Sequence, residues 1–182
     1  MKIGVYGGTF DPPHLGHMEA ARAAAEALGL DKLLLIPAAV PPHKALPPDA
    51  VAPQARLAMA AMVADGVNLE LKSPGLAEAS AAEMDRTGKS YTADTLAQLL
   101  LGTDMFLSLQ TWREPEKIIS LAGIAAFDRT EADSGGMEGQ ARRLRERYGA
   151  RVALVRLPRV MEISSTQVRE LLVRNRVEAR AL

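Results

Sequence analysis

Short apolar runs alternate along the chain with longer stretches whose apolar positions recur every three or four residues. That alternation predicts repeated strand–helix–strand units and a largely parallel sheet. Lys2-Ile3-Gly4-Val5-Tyr6 reads as a first strand, and Met18 to Leu28 as an alanine-rich helix closed by Gly29. Leu33-Leu34-Leu35-Ile36 reads as a buried second strand, followed by a proline-rich loop from Pro37 to Pro48 that carries His43 and Lys44. Pro53 suits a helix start, and Arg56 to Ala64 is amphipathic with Gly66 as its expected end. Val67 to Leu71 then reads as a third strand, and the polar stretch from Ser73 to Lys89 as loop.

In the second half Thr92 can cap a helix through Leu99, with Leu100-Leu101 leading into Gly102-Thr103-Asp104. Leu99 to Leu101 must then both finish a helix and supply a buried strand, so either the element is abbreviated or residues are missing there. Glu114 to Ser120 reads as a short helix, Ala122 to Phe127 as a strand, Ser134 to Tyr148 as a charged helix and Val152 to Val155 as a strand. Ser164 and Gln167 have capping-box spacing at the start of a last helix. No repeat or linker interrupts the pattern. The expectation is one domain over residues 1–182, an α/β fold with a doubly wound, Rossmann-like, mostly parallel sheet and helices on both faces.

Composition narrows the function classes. Lys plus Arg and Asp plus Glu are 22 each, which gives no sign of a nucleic-acid partner. With 0 cysteines there are no disulfides or thiolate metal sites, which fits a reducing compartment. Glycines and Asp11 interrupt any signal-peptide core, and no apolar run approaches the roughly 20 residues of a membrane span. A cytoplasmic protein without a membrane partner is expected, and a homo-oligomer is left open.

The chemistry concentrates in Gly7-Gly8-Thr9-Phe10-Asp11-Pro12-Pro13-His14-Leu15-Gly16-His17. Glycines at a strand-to-helix turn let the backbone approach an anion, and the free N–H groups of a helix start favour negative charge. His14 and His17 are three residues apart and share a face, while Gly16 leaves room between them for a nucleotide. Asp11 ahead of two prolines also reads as a plain helix cap. A second segment, Ile163-Ser164-Ser165-Thr166-Gln167-Val168-Arg169, offers three hydroxyls and an arginine at another helix N-terminus. Ordinary capping accounts for Ser164 alone; the set points to phosphate. Ligands of doubly wound sheets gather at the carboxyl ends of the strands, where two such helix starts can converge.

These two segments resemble the paired motifs of the nucleotidyltransferases, and within them the bacterial nicotinate-mononucleotide adenylyltransferases. Pro41-Pro42-His43-Lys44, Ser90 to Leu96, and Gly102-Thr103-Asp104 followed by Trp112 agree with that resemblance, which spans Met1 to about Leu172. Pantetheine-phosphate adenylyltransferases are similar but usually carry Thr where this chain has His14. Two features depart from the family pattern: the strand before Gly102 is nearly absent, and 175–182 lacks an apolar, tyrosine-bearing closing helix.

The resemblance implies transfer of AMP from ATP to nicotinate mononucleotide, with Mg²⁺ arriving on ATP and no metal ligands assigned to the protein. It implies that His14 and His17 meet the ATP phosphates with Lys44, Ser164, Ser165, Thr166 and Arg169, and that Ile163 belongs to the ATP site. Gly7, Gly8, Thr9, Phe10 and Gly16 would lie against the nucleotide, and Gly102 and Asp104 would face it, Asp104 through ribose hydroxyls. Tyr91 and Thr92 would meet the nicotinate carboxylate, and Trp112, flanked by polar residues as in a partly exposed loop, would stack on the pyridine ring. Nicotinamide mononucleotide or phosphopantetheine as acceptor, or nucleotide binding without catalysis, are the competing readings. Arg142, Arg143, Arg145 and Arg147 read as a solvated helix face.

Overall fold

The computed structural model describes residues 1–39, 50–84, 98–128, 134–157 and 163–174. Strands β1 (Ile3–Gly8), β2 (Lys32–Pro37), β3 (Ala77–Ala79), β4 (Gln98–Gly102), β5 (Gly123–Asp128) and β6 (Val152–Arg156) form one sheet in the order β3-β2-β1-β4-β5-β6. Every strand pair in it is parallel. The chain reverses its direction of winding between β1 and β4, which places the switch point, and the usual ligand crevice, at their carboxyl ends.

Helices α1 (Leu15–Leu28) and α2 (Pro53–Glu70) cover one face with an apolar cluster that takes in Leu33, Leu35, Leu100 and Phe127. On the other face Leu99, Leu101, Ile124 and Ala126 pack against α3 (Thr103–Leu107), α4 (Pro115–Leu121) and α5 (Ser134–Tyr148). Neighbouring residues of β4 and β5 thus serve opposite cores, as strand periodicity requires. Alanines at 20, 21, 23, 24 and 25 are all buried and let α1 lie close to the sheet. A one-turn 3₁₀ helix (Leu109–Thr111) and α6 (Ser165–Arg174) complete the described elements.

Several expectations change. Gly66 does not end α2, which runs on to Glu70 and absorbs the expected strand Val67–Leu71. Ala60, Ala64 and Val67 are buried together on one helical face, and a Cβ at Gly66 would stand 2.6 Å from Met18 Sδ. Gly66 is therefore a close-packing position between α2 and α1, not a stop. The third strand lies instead at Ala77–Ala79, inside the stretch expected as loop, where Asn68 pairs both polar groups of the Ala77 backbone at 2.9 and 2.7 Å.

Leu99 does not finish a helix: Leu99, Leu100 and Leu101 are all buried in β4, which pairs with β5 in continuous register from Gln98 to Gly102. The strand before Gly102 is therefore present. Helices α4 and α5 and strands β5 and β6 fall within a residue of expectation at each end. Arg142, Arg143, Arg145 and Arg147 are exposed, as a solvated face requires. The expected loop around Lys44, the segment holding Tyr91 and Thr92, and 175–182 lie outside the described residues.

Candidate active site

β1 keeps its glycines to the last residue: Gly7 pairs with Ile36 and Gly8 with Pro37. Neither takes a left-handed backbone, so the turn is not theirs. Phe10 makes it instead, with φ 50°, a conformation that costs a non-glycine residue about 1–3 kcal/mol. Its ring is 1% exposed and stands edge-on to Tyr6 at 5.7 Å. A Cβ at Gly8 would press on that ring at 3.2 Å, whereas one at Gly7 would meet nothing within 4 Å. The mouth of β1 is consequently open at Gly7 and packed from beneath at Gly8.

α1 begins at Leu15, three residues before the expected Met18, which puts His14 at its cap and His17 in its first turn. His14, not Asp11, is the N-cap, in an extended conformation at φ −146°. The backbone N–H of His14 donates to His17 Nδ1 at 3.2 Å. An Nδ1 that accepts leaves the proton of a neutral His17 imidazole on Nε2. The two imidazole centroids are 3.9 Å apart, and the His17 ring rests 5.1 Å from Phe10 and 6.1 Å from Tyr6. A Cβ on Gly16 would stand 2.9 Å from His14 Nδ1 and 3.4 Å from Ile163 Cγ2. Gly16 thus makes room for protein as well as for any ligand, and its second neighbour belongs to the other motif.

That other motif arrives from 147 residues further on and clasps the turn. Ser165 Oγ donates to the Pro12 carbonyl at 2.8 Å, and Arg169 Nη1 donates to the Asp11 carbonyl. The same nitrogen lies 3.9 Å from Asp11 Oδ2, a buried oxygen with no hydrogen-bond partner among the described residues. Ser164 caps α6 in the expected box: its N–H reaches Gln167 Oε1 at 2.7 Å, and its Oγ accepts from the Gln167 N–H at 3.3 Å. Thr166 Oγ1 accepts from Arg169 Nη2 at 3.2 Å. Here the hydroxyls of Ser164, Ser165 and Thr166 bond protein groups, and their contact with phosphate stays a proposal. Arg169 keeps further N–H donors in its fork.

Between the segments lies a cleft of about 460 Å³ of empty space, counted out to solvent, lined by Tyr6, His14, Gly16, His17, Gly102, Phe127 and Ile163 among others. It sits where β1, β4 and β5 end, at the switch point. Gly102 caps α3 there, and Asp104 is exposed on the first turn of that helix. Trp112 departs from expectation: it is 9% exposed and packed with Leu109, Ile118 and Ile124 rather than standing in a partly exposed loop. Glu19, at the buried wall of the cleft, is held by Arg22 at 2.7 and 3.0 Å. The Glu19 hydrogen bond, aided by Glu26 and Glu70, raises the Arg22 guanidinium above its usual range against the pull of desolvation.

Two residues near the site escape a reading of the sequence. Thr103 is buried and donates from Oγ1 to the Phe127 carbonyl at 3.0 Å, which ties the β4 exit to β5. Arg56 is 0% exposed and, among the described residues, gives its hydrogen bonds to main-chain carbonyls. Its place on the face of Ala60, Ala64 and Val67 was the available signal. Burial pulls its guanidinium below the usual value, and the charge of Asp11 opposes that shift.

Strand order, switch-point cleft and helix starts define a Rossmann-like α/β protein of the nucleotidyltransferase fold. Residues 5–171 match the family described as Cytidylyltransferase-like, and the chain belongs to that family. A protein of Chromohalobacter salexigens named "Probable nicotinate-nucleotide adenylyltransferase" is 36% identical over 95% of this chain and 85% of its own length. A protein of Exiguobacterium sibiricum with the same name is 36% identical over 97% of this chain and 88% of its own. The structure of Plasmodium falciparum nicotinic acid mononucleotide adenylyltransferase complexed with APC shares the fold, with TM-score 0.67 at 16% identity over 94% of this chain and 83% of that one. Among the described residues no helix is long and apolar enough to cross a membrane.

Proposed function

We propose that this chain transfers AMP from ATP to nicotinate mononucleotide, releasing pyrophosphate and forming the dinucleotide precursor of NAD. The observation that carries the reading is the clasp itself: Ser165 and Arg169 grip the carbonyls of Pro12 and Asp11, so two segments remote in sequence border one cleft. The relatives named as nicotinate-nucleotide adenylyltransferases support the choice of acceptor.

The chemistry needs no covalent intermediate. A phosphate monoester is mostly a dianion at neutral pH, so the acceptor's phosphate attacks the α-phosphorus of ATP without losing a proton to a base. The new P–O bond forms as the bond to the pyrophosphate oxygen breaks. The protein's part is alignment and neutralisation of charge on the phosphoryl oxygens. In this reading the N–H groups at the start of α1, His14, the Nε2–H of His17 and the remaining donors of Arg169 face the phosphates. Gly7 and Gly8 admit them to the mouth of β1, beside Thr9 and Phe10, while Gly16, Gly102 and Ile163 wall the nucleotide and Asp104 meets ribose hydroxyls. Lys44, Tyr91 and Thr92 keep their assigned roles as proposals from the sequence alone, and so does stacking of Trp112 on the pyridine ring, from a side chain packed with Leu109 and Ile118.

Mg²⁺ would arrive with ATP and would supply charge neutralisation on its phosphates, with no residue of this chain assigned to hold it. Among the described residues no three His, Cys, Asp or Glu side chains cluster to hold an ion. The continuous register of β4 removes the abbreviated sheet that favoured a non-catalytic nucleotide binder. A pyrophosphate-release assay with ATP and nicotinate mononucleotide, nicotinamide mononucleotide or phosphopantetheine in turn tests the reading. The nicotinate acceptor is expected to give the highest kcat/KM, and release with none of the three contradicts the proposal.

A further inference from the structure

Arg56 is the largest fully buried side chain of the described residues, and it belongs to no motif that touches the cleft. Arginine is almost never fully buried without a strong reason. Its Nη1 donates to the Thr9 carbonyl at 2.9 Å and to the Ala38 carbonyl at 2.7 Å, and its Nη2 to Ala39 at 3.2 Å. Its Nε donates to Val51 at 3.1 Å. One rigid fork therefore fixes the exit of β1, the exit of β2 and the approach to α2 against each other.

Two routes lead from that fork to the cleft. Thr9 is followed by Phe10, whose strained backbone lies between the carbonyl held by Arg56 and the one held by Arg169, and whose ring lies 5.1 Å from His17. Val51, whose carbonyl Arg56 holds, donates its own N–H to Asp11 Oδ1 at 3.2 Å, and the other oxygen of Asp11 faces Arg169. The carbonyls of Thr9, Asp11 and Pro12 are thus all taken by side chains from α2 and α6. We propose that Arg56 is a positioning residue for adenylyl transfer: through the Thr9 carbonyl and through Val51 and Asp11 it sets where His17 and Arg169 stand. The inference rests on the function proposed above. Lysine cannot replace it, because an ammonium lacks the planar fork that spans three segments.

The test is steady-state AMP transfer by the parent, R56K and D11N, each run well below its melting midpoint. R56K is expected to lose about 30-fold or more in kcat while KM for ATP changes by less than about 3-fold, as misplacement of reacting groups dictates. D11N keeps an acceptor for Val51 and removes the charge facing Arg169, so a loss of about 10-fold is expected there. A folded R56K with kcat within 2-fold of the parent and only a lower midpoint makes Arg56 purely structural and overturns the inference. Should R56K not fold, D11N decides by the same criterion, parental kcat being the contrary result. A parent with no transfer to any acceptor condemns the functional reading instead.

Discussion

The turn after β1 and the start of α6 clasp each other beside the cleft, yet they are built in opposite ways. The turn is buried and over-determined: Phe10, Asp11 and His14 are at most 9% exposed, and the carbonyls of Thr9, Asp11 and Pro12 are gripped from outside. The start of α6 is more exposed and satisfies itself, Ser164 with Gln167 and Thr166 with Arg169, before it reaches across. The first half is a fixed seat, the second a clasp. A ligand between them gains from the seat without reordering it, whereas Arg169 must meet the ligand from the place where Asp11 holds it.

Substitutions sharpen this contrast. His17→Ala should lower AMP transfer about 100- to 1000-fold while the fold is kept and stability falls by only about 1 kcal/mol, because it removes a donor aimed at developing charge together with the acceptor that caps α1. Turnover near the parent's in that variant would contradict the seat. Arg169→Ala should cost about 30-fold in kcat/KM for ATP and much less in the dependence on the acceptor, as loss of a charge-assisted grip on one substrate requires. Gly16→Ala drives a Cβ to 2.9 Å from His14 Nδ1. It should cost about 10-fold in activity and about 1–2 kcal/mol in stability, measured by denaturant unfolding. Ser164→Ala should leave activity within about 3-fold and lower stability by about 1 kcal/mol, the value of a helix cap. A larger effect on ATP use than on unfolding would support Ser164 as a phosphate contact.

The contrast also explains what the chain disclosed before it folded. Strand and helix order was legible because buried parallel strands are short apolar runs, and the start of α6 was legible because its capping box is local, whereas α1 starts three residues early on a histidine cap that no capping rule suggests. The end of α2 was not. Val67-Asn68-Leu69-Glu70-Leu71 alternates apolar and polar like a strand, and only the spacing of Arg56, Ala60, Ala64 and Val67 shows that a helix face continues. Leu99 to Leu101 had the converse difficulty: three consecutive leucines carry no period, and pairing on both sides decided for strand. Trp112 among polar neighbours read as exposed, but Leu109 and Ile118 bring it into the core. Arg56 was hidden because its partners are backbone carbonyls, which no residue pattern reveals.

The central claim is that one triphosphate is held at once by the histidine turn and by α6. A double-mutant cycle on kcat/KM for ATP with H17A, R169A and the double variant measures it directly. Groups acting on one bound ligand should be coupled by about 1 kcal/mol or more, so the double variant should lose at least about 5-fold less than the product of the single losses. Losses that multiply would mean that the two halves act on ATP independently, and the account would fail.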